Sequence, residues 1–243
     1  GMAMKNILKI MLMMITIFTI AGSAVYAAEI PVSDQDQLIT SRDWTEISNL
    51  QDEMKKEEPD ATIDYDKALK VYVDCNLIKL QTADTKKLTS ALESANYVWV
   101  IPFKMEKTYG MFTVAKGLPL SEEAKSVLTK AEQEEVKNHA GKWMITETAE
   151  HTVEPYYDIL LEKREALSDC TRVVLVGSQP GMRQPVALGM DDETARIWIS
   201  LGYQYPVMEK IPETQNVESG VYSFDSVAEI SDTYIEDSEV STG

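Results

Sequence analysis

The chain contains two histidines and two cysteines, which are the side chains most often found in metal sites and in nucleophile–base pairs. Glu135 and His139 lie four residues apart in a predicted helix, so both could contact one metal ion. A zinc site needs three or four ligands, usually His or Cys. His151, the other imidazole, falls on a different predicted element. We therefore expect a structural pair at a helix end, and no metal or cofactor.

The segment from Gly177 to Gly181 is the part of the sequence that most resembles a catalytic serine motif. A nucleophile elbow needs Gly-x-Ser-x-Gly between a strand and a helix. Here Ser178 follows Gly177 directly, Pro180 interrupts the spacing, and the next predicted element is a strand. The Gly-Lys-Ser/Thr ending of a phosphate loop is also missing. The segment is predicted to be a turn, and no catalytic residue is assigned.

Acidic residues occur in adjacent or alternate pairs, namely Asp64 with Asp66, Glu122 with Glu123, and Asp191 with Asp192. Glycosidases use two carboxylates held about 5–10 Å apart across a cleft. Among 40 acidic residues, however, such pairs are expected in solvated turns and helix starts. A secreted hydrolase directed at glycans stays open as an alternative, but its Asp/Glu pair cannot be identified from the sequence.

Cys75 and Cys170 could form one disulfide bond, because exported chains with an even number of cysteines often do. The alternative is two buried thiols that pack as small apolar side chains. Sequence spacing does not determine the distance between the two Cα atoms, so both interpretations stay open.

Aromatic residues supply the weak candidates for ligand binding. Trp198, Tyr203 and Tyr205 cluster at and after the last predicted strand, and the two tyrosines alternate along an extended segment. If they are exposed, they would form a small recognition patch. If they face inward, they close one edge of the core.

The first 27 residues have the order typical of a secretory signal peptide. Lys5 and Lys9 precede an apolar run over residues 10–20, and Val25-Tyr26-Ala27 supplies the cleavage site. Gly1 precedes Met2 as a tag remnant. The apolar run is shorter than the ~20 residues of a membrane-spanning helix, although a retained signal anchor is the alternative. The protein is expected to be bacterial and secreted or extracytoplasmic.

The net charge restricts the partners of the chain. It has 23 basic against 40 acidic residues, a formal net charge of −17. Such a surface repels nucleic acids and anionic lipids. We therefore expect no nucleic-acid partner and no stable membrane association after signal cleavage.

Hydrophobic periodicity predicts an α+β protein with a mixed or antiparallel sheet, preceded by an N-terminal helix at about residues 40–56. Helix caps are predicted at Asp84 or Thr85 and at Ser121, with a stop at Gly141. The sheet is built from two β-α-β-β-like units joined by a helix at 121–140. Their elements are 68–80, 84–95, 97–103 and 111–115 in the first unit, and 143–148, 155–168, 171–176 and 186–190 in the second.

The two units suggest an internal duplication of about residues 60–118 and 142–205, although this simple arrangement also recurs by chance. Residues 40–208 are predicted to be one domain after a flexible lead-in at 28–39. Residues 209–243 contain nine acids and one lysine and are predicted to be a largely disordered acidic tail. On this prediction, truncation after Met208 would leave the thermal midpoint almost unchanged.

These observations favour an exported, non-catalytic binding or interaction module over an enzyme. Its expected ligand is a protein, a peptide or a cell-wall glycan. The glycan-directed hydrolase remains the alternative, and the sequence leaves the ligand and the oligomeric state open.

Signal cleavage can be checked directly. We expect protein secreted by the producing organism to begin at Ala28, because the cleavage site follows the apolar run directly. N-terminal sequencing or intact mass would measure this. Mature protein that retains Lys9 would instead indicate a membrane anchor.

Overall fold

The computed structural model describes residues 29–151, 154–177, 179, 184–202, 216–218 and 220–229. These residues form a mixed α+β fold with one large sheet. The predicted signal peptide lies outside them. The strands are β1 (Thr62–Ile63), β2 (Leu69–Tyr72), β3 (Tyr97–Lys104), β4 (Tyr109–Lys116), β5 (Trp143–His151), β6 (Arg172–Val176), β7 (Val186–Met190), β8 (Ala195–Ser200), β9 (Asn216–Glu218) and β10 (Val221–Ser223). The α-helices are α1 (Trp44–Ile47), α2 (Gln51–Glu57), α3 (Thr85–Glu93), α4 (Glu122–Val127), α5 (Lys130–His139) and α6 (Tyr156–Glu162), and residues 224–229 are also helical.

The strand order of the sheet is β5-β4-β3-β2-β6-β7-β8-β10-β9, with β1 also paired to β3. Strands β2 and β6 are parallel neighbours in the centre, where Val71 lies opposite Leu175. The other described pairs are antiparallel. The sheet therefore consists of two antiparallel halves joined by a single parallel pair.

Alternating side chains place a separate core on each face of the sheet. On one face, Val71 and Leu175 pack with Leu160 of helix α6. The opposite face carries two apolar clusters. The first includes Leu88 and Leu92 of helix α3, and the second includes Ile47 and Met54 of helices α1 and α2. Helices thus cover both faces of the sheet.

The predicted repeat units differ from the observed strand order. Strands β2, β3 and β4 of the first unit are neighbours, but β5 lies at the outer edge while β6 is central. The second unit is therefore not contiguous in the sheet, and the duplication stays a prediction. The strand predicted at 68–80 ends at Tyr72, and Asp74 then has a left-handed backbone with φ of 56°.

The predicted caps are observed, and the helix expected at 121–140 is two helices. Asp84 accepts a hydrogen bond from the Lys87 amide, and Ser121 accepts one from the Ala124 amide. Thr129 and Glu132 form a capping box that starts helix α5. Gly141 follows that helix with φ of 72°, a conformation that favours glycine.

The lead-in predicted to be flexible is docked on the sheet from residue 29 onward. Ile30, Asp36 and Leu38 are buried. The Pro31 carbonyl accepts a hydrogen bond from the Val173 amide at 2.8 Å, and Gln37 forms an antiparallel bridge with Leu69. This corrects the prediction that residues 29–39 are flexible. The composition of the segment is typical of a loop, but backbone pairing and the buried Asp36 carboxylate fix it on the sheet.

Part of the predicted acidic tail belongs to the sheet. Strand β10 pairs with β8, so that Tyr222 lies opposite Trp198. Tyr222, Phe224 and Val227 are buried in the core. The ordered domain therefore continues beyond residue 208. Composition concealed this extension because its apolar residues are interspersed with acidic ones, such as the exposed Asp225 and Glu229.

Truncation after Met208 should therefore be strongly destabilising. It removes four buried apolar side chains (Val221, Tyr222, Phe224 and Val227), each worth roughly 1.5–3 kcal/mol. We expect the free energy of unfolding to fall by at least about 5 kcal/mol in urea or thermal denaturation, much of the stability of a typical domain.

Two point variants separate this effect from the loss of chain length. Tyr222→Ala should cost about 3 kcal/mol, whereas Asp225→Ala, at an exposed position nearby, should stay within about 0.5 kcal/mol. Unchanged stability of the truncated chain would contradict the observed role of β10.

Candidate functional site

A cleft lies on the helix α3 face of the sheet, between that helix and the N-terminal segment. Its volume is about 450 Å³, and its lining includes Lys70, Tyr72 and Tyr97 from the adjacent strands β2 and β3. Leu92 and Glu93 of helix α3 line one side, and residues 34, 35 and 40–43 line the other. The cleft opens where the two apolar clusters of this face meet.

Asp36 belongs to the N-terminal segment that supplies this wall and is only 3% exposed. Its carboxylate accepts hydrogen bonds from the Tyr72 hydroxyl at 2.7 Å and from the Ser33 hydroxyl at 2.7 Å. It also forms an ion pair with Arg172, with Nη2 at 2.9 Å from Oδ2. Burial, followed by the charge of Asp36, raises the pKa of Tyr72 well above its usual value. A buried carboxylate with this many donors is satisfied within the protein.

Asp43 forms a second internal hydrogen-bond centre. Its Oδ2 accepts hydrogen bonds from the Tyr97 hydroxyl at 2.7 Å and from Trp99 Nε1 at 3.0 Å. Burial, then the hydrogen bond from Tyr97 to Asp43, raises the pKa of Tyr97 to about 12. Both tyrosines are therefore neutral donors at physiological pH. They hold the N-terminal segment against the sheet.

Lys70 lies between these two centres and faces aromatic rings. Its ammonium nitrogen is 4.2 Å from the centroid of Tyr97, 5.4 Å from that of Trp99 and 5.6 Å from that of Tyr72. Such distances are typical of cation–π contacts. Within the described residues, Lys70 makes no hydrogen bond and no ion pair with its side chain. Burial lowers its pKa, despite the opposing charges of Asp36 and Asp43.

Two further cavities adjoin the cleft in a row, and each shares lining residues with the next. A cavity of about 380 Å³ shares Arg42, Ala95 and Tyr97 with the cleft. That cavity in turn shares Gly117, Leu118 and Pro119 with a third, of about 660 Å³. We call the combined space the groove.

The character of the groove changes along its length. Lys70 lies at the polar end. Lys116 and Trp143 line the middle, where the Lys116 ammonium is 5.7 Å from the centroid of the Trp143 ring. Trp143 Nε1 is buried without a hydrogen-bond partner in the described part of the chain. The far end is apolar, lined by Leu118, Leu120, Leu128, Val136 and Met144. Glu132, Glu135 and His139 also line that end.

The aromatic residues predicted to bind ligand lie elsewhere. Trp198 is fully buried and packs against Phe224 with ring centroids 6.3 Å apart, which matches the core alternative for this residue. Tyr203 and Tyr205 lie outside the described residues. Trp198 is also on β8, separated from β2 by strands β6 and β7, so it is remote from the groove.

Cys75 and Cys170 are free thiols. Cys75 packs against the cluster beside helix α3, whereas Cys170 packs in the core on the opposite face. The sheet therefore separates them, and no disulfide joins them in this structure. Burial raises the pKa of both thiols, that of Cys170 to about 11, which disfavours the reactive thiolate.

The remaining sequence candidates for metal binding or catalysis are Glu135, His139, His151 and Ser178. Among the described residues, no cluster of three His, Cys, Asp or Glu side chains could hold a metal ion. Glu135 and His139 are on helix α5 at the apolar end of the groove. Ser178 and the side chain of His151 lie outside the described residues.

The polar end of the groove is built from residues that were not among the candidates predicted from the sequence. One signal was present: Lys70 and Tyr72 alternate with apolar residues on one strand, and Tyr97 and Trp99 alternate on the next. The register places Lys70 opposite Trp99 and Tyr72 opposite Tyr97. Asp36 and Asp43 had no such signal, because their partners are remote in sequence.

Comparisons with protein families, with characterised proteins and with solved structures find no match to this chain. Within the described ranges, none of the helices is long and apolar enough to cross a membrane.

The structural role of Asp36 can be tested by Asp36→Ala. This substitution leaves the Tyr72 hydroxyl and the partly buried Arg172 without their carboxylate partner. We expect a loss of about 3 kcal/mol in the free energy of unfolding, measured by urea denaturation, because breaking a buried ion pair is costly.

Asp34→Ala is the matched control, since Asp34 is an exposed acid two residues away. It should change stability by less than about 0.5 kcal/mol. Equal effects of the two substitutions would show that Asp36 contributes no more than a surface charge.

Proposed function

We propose that this protein is an exported, non-catalytic binding protein that holds an extended peptide segment in the groove. The export part of the proposal rests on the basic, apolar and small-residue order of residues 1–27. The single observation that supports peptide binding is the row of three adjoining cavities from Lys70 to the apolar end. Binding sites are typically concave, with apolar walls and a few placed polar groups.

A peptide fits the changing chemistry of this groove better than a glycan does. The far end offers aliphatic side chains, including Leu118, Leu128 and Met144, which match aliphatic or aromatic residues of a peptide. Sugar rings usually stack on exposed aromatic faces, yet Trp143 is only 8% exposed.

The non-catalytic part of the proposal rests on the two carboxylates beside the polar end. Asp36 accepts from Tyr72, Ser33 and Arg172, and Asp43 accepts from Tyr97 and Trp99. A general acid or base must exchange a proton with a substrate within hydrogen-bond reach. Carboxylates that already accept hydrogen bonds from internal donors are better suited to holding the wall in place.

The experiment is a selection of random linear peptides on the purified mature protein, followed by fluorescence polarisation with labelled peptides. Leu118→Asp adds a charge to the apolar end at a site that is 57% exposed, so the fold should survive. We expect this substitution to weaken binding about tenfold or more, which corresponds to about 1.4 kcal/mol.

The matched control is Val127→Asp. Val127 is also an exposed aliphatic residue, 79% exposed, but it is not among the lining residues of the groove. Its substitution should change affinity less than about twofold. Equal loss in both variants would count against the groove. Recovery of glycans on an array, with no peptide enriched, would replace the peptide with a sugar ligand.

A further inference from the structure

We infer that the Lys70 end of the groove is a subsite for one carboxylate group of the bound peptide. The inference rests on the proposed function and specifies the chemistry that one end of the site recognises. It follows from three features of the cleft. These are the pairing of the charges around it, the position of the Lys70 ammonium group, and the neighbouring groups that favour a ligand with a single negative charge.

Charge pairing around the cleft leaves Lys70, among the described residues, without a carboxylate partner. Arg172 pairs with Asp36 at 2.9 Å, and Arg42 is 4.0 Å from the carboxylate of Asp43. Among the described residues, no carboxylate oxygen lies within ion-pair distance of Lys70. Asp34 and Glu93 line the cleft but are exposed at its rim. One added anionic group would therefore give Lys70 an ion-pair partner inside the cleft.

The ammonium group is positioned to accept such a partner. It has three hydrogen-bond donors, while the rings of Tyr97, Trp99 and Tyr72 contact it only through their π faces. The lowered pKa of Lys70 indicates that its charge is poorly solvated. A carboxylate would stabilise that charge through a charge-assisted hydrogen bond.

Neighbouring groups favour a single carboxylate over a phosphate. The hydroxyls of Thr40 and Ser41 already donate to the carbonyls of Asp34 and Leu38, so they offer few free donors. Arg42, whose side chain is 88% exposed, is the second cation at the opening of the cleft. A dianion would add a second negative charge beside Asp36 and Asp43, in a chain whose net charge is already −17.

The first experiment compares acidic and neutral forms of the peptides recovered by selection. Each Asp or Glu is replaced with Asn or Gln, and the C-terminus is amidated in a separate arm. One of these changes should weaken binding to the wild-type protein about tenfold or more. The arm that responds identifies the carboxylate as a side chain or as the peptide terminus.

The protein variants then connect this effect to Lys70. In Lys70→Gln, the difference between the acidic and neutral peptides should fall below about twofold, while Lys70→Arg should retain most of it. Thermal unfolding of both variants confirms that they are folded. Peptides that bind without any carboxylate dependence, or a dependence that survives Lys70→Gln, would overturn the inference.

A small carboxylate probe tests the subsite independently of peptide binding. N-acetylglycine is titrated into protein labelled with ¹³C at lysine Cε, with N-acetylglycinamide as the neutral control, and the Lys70 resonance is identified by its loss in Lys70→Arg. We expect a saturable shift of that resonance with the acid only. If no peptide is enriched, the proposed function fails; a Lys70 resonance that also does not respond to the acid then overturns the subsite.

Discussion

The buried carboxylate of Asp36 is the interaction on which the rest of this structure depends. It joins the N-terminal segment to Tyr72 on β2 and to Arg172 on β6, which are the two strands of the only parallel pair described in the sheet. The two antiparallel halves therefore meet at a point where one side chain bridges both. Because an unpaired charge is costly at such a depth, the segment, the strands and their register are stabilised together.

The groove is a consequence of this arrangement. Asp36 and Asp43 hold the N-terminal segment above the sheet, at a distance from helix α3, and the space between them becomes the cleft. Lys70 lies beneath this space, between two apolar clusters on the same sheet face. The polar end of the groove is thus a break in an otherwise apolar surface.

Local sequence signals predicted the elements better than their arrangement. The caps at Asp84 and Ser121 were confirmed, because a cap depends on residues within one helical turn. The alternation of Leu69 and Val71 with Lys70 and Tyr72 marked the start of β2, although the strand ends well before residue 80. It did not reveal that the polar side of this strand is covered by helix α3 and the N-terminal segment. That cover comes from remote parts of the chain, so no local pattern could indicate it.

The sequence by itself determined the α+β class, the acidic surface and the positions of most helices and strands, since these follow from composition and short-range periodicity. Tertiary structure alone decided that residues 29–39 dock on the sheet, that residues 221–229 complete it, and that Lys70 lies beneath a cleft. Each of these features depends on pairing between segments far apart in sequence, such as Asp36 with Arg172 and Tyr222 with Trp198. From sequence alone, a buried polar residue in a loop-like segment looks the same as a solvated one, because its burial depends on a partner far away in the chain.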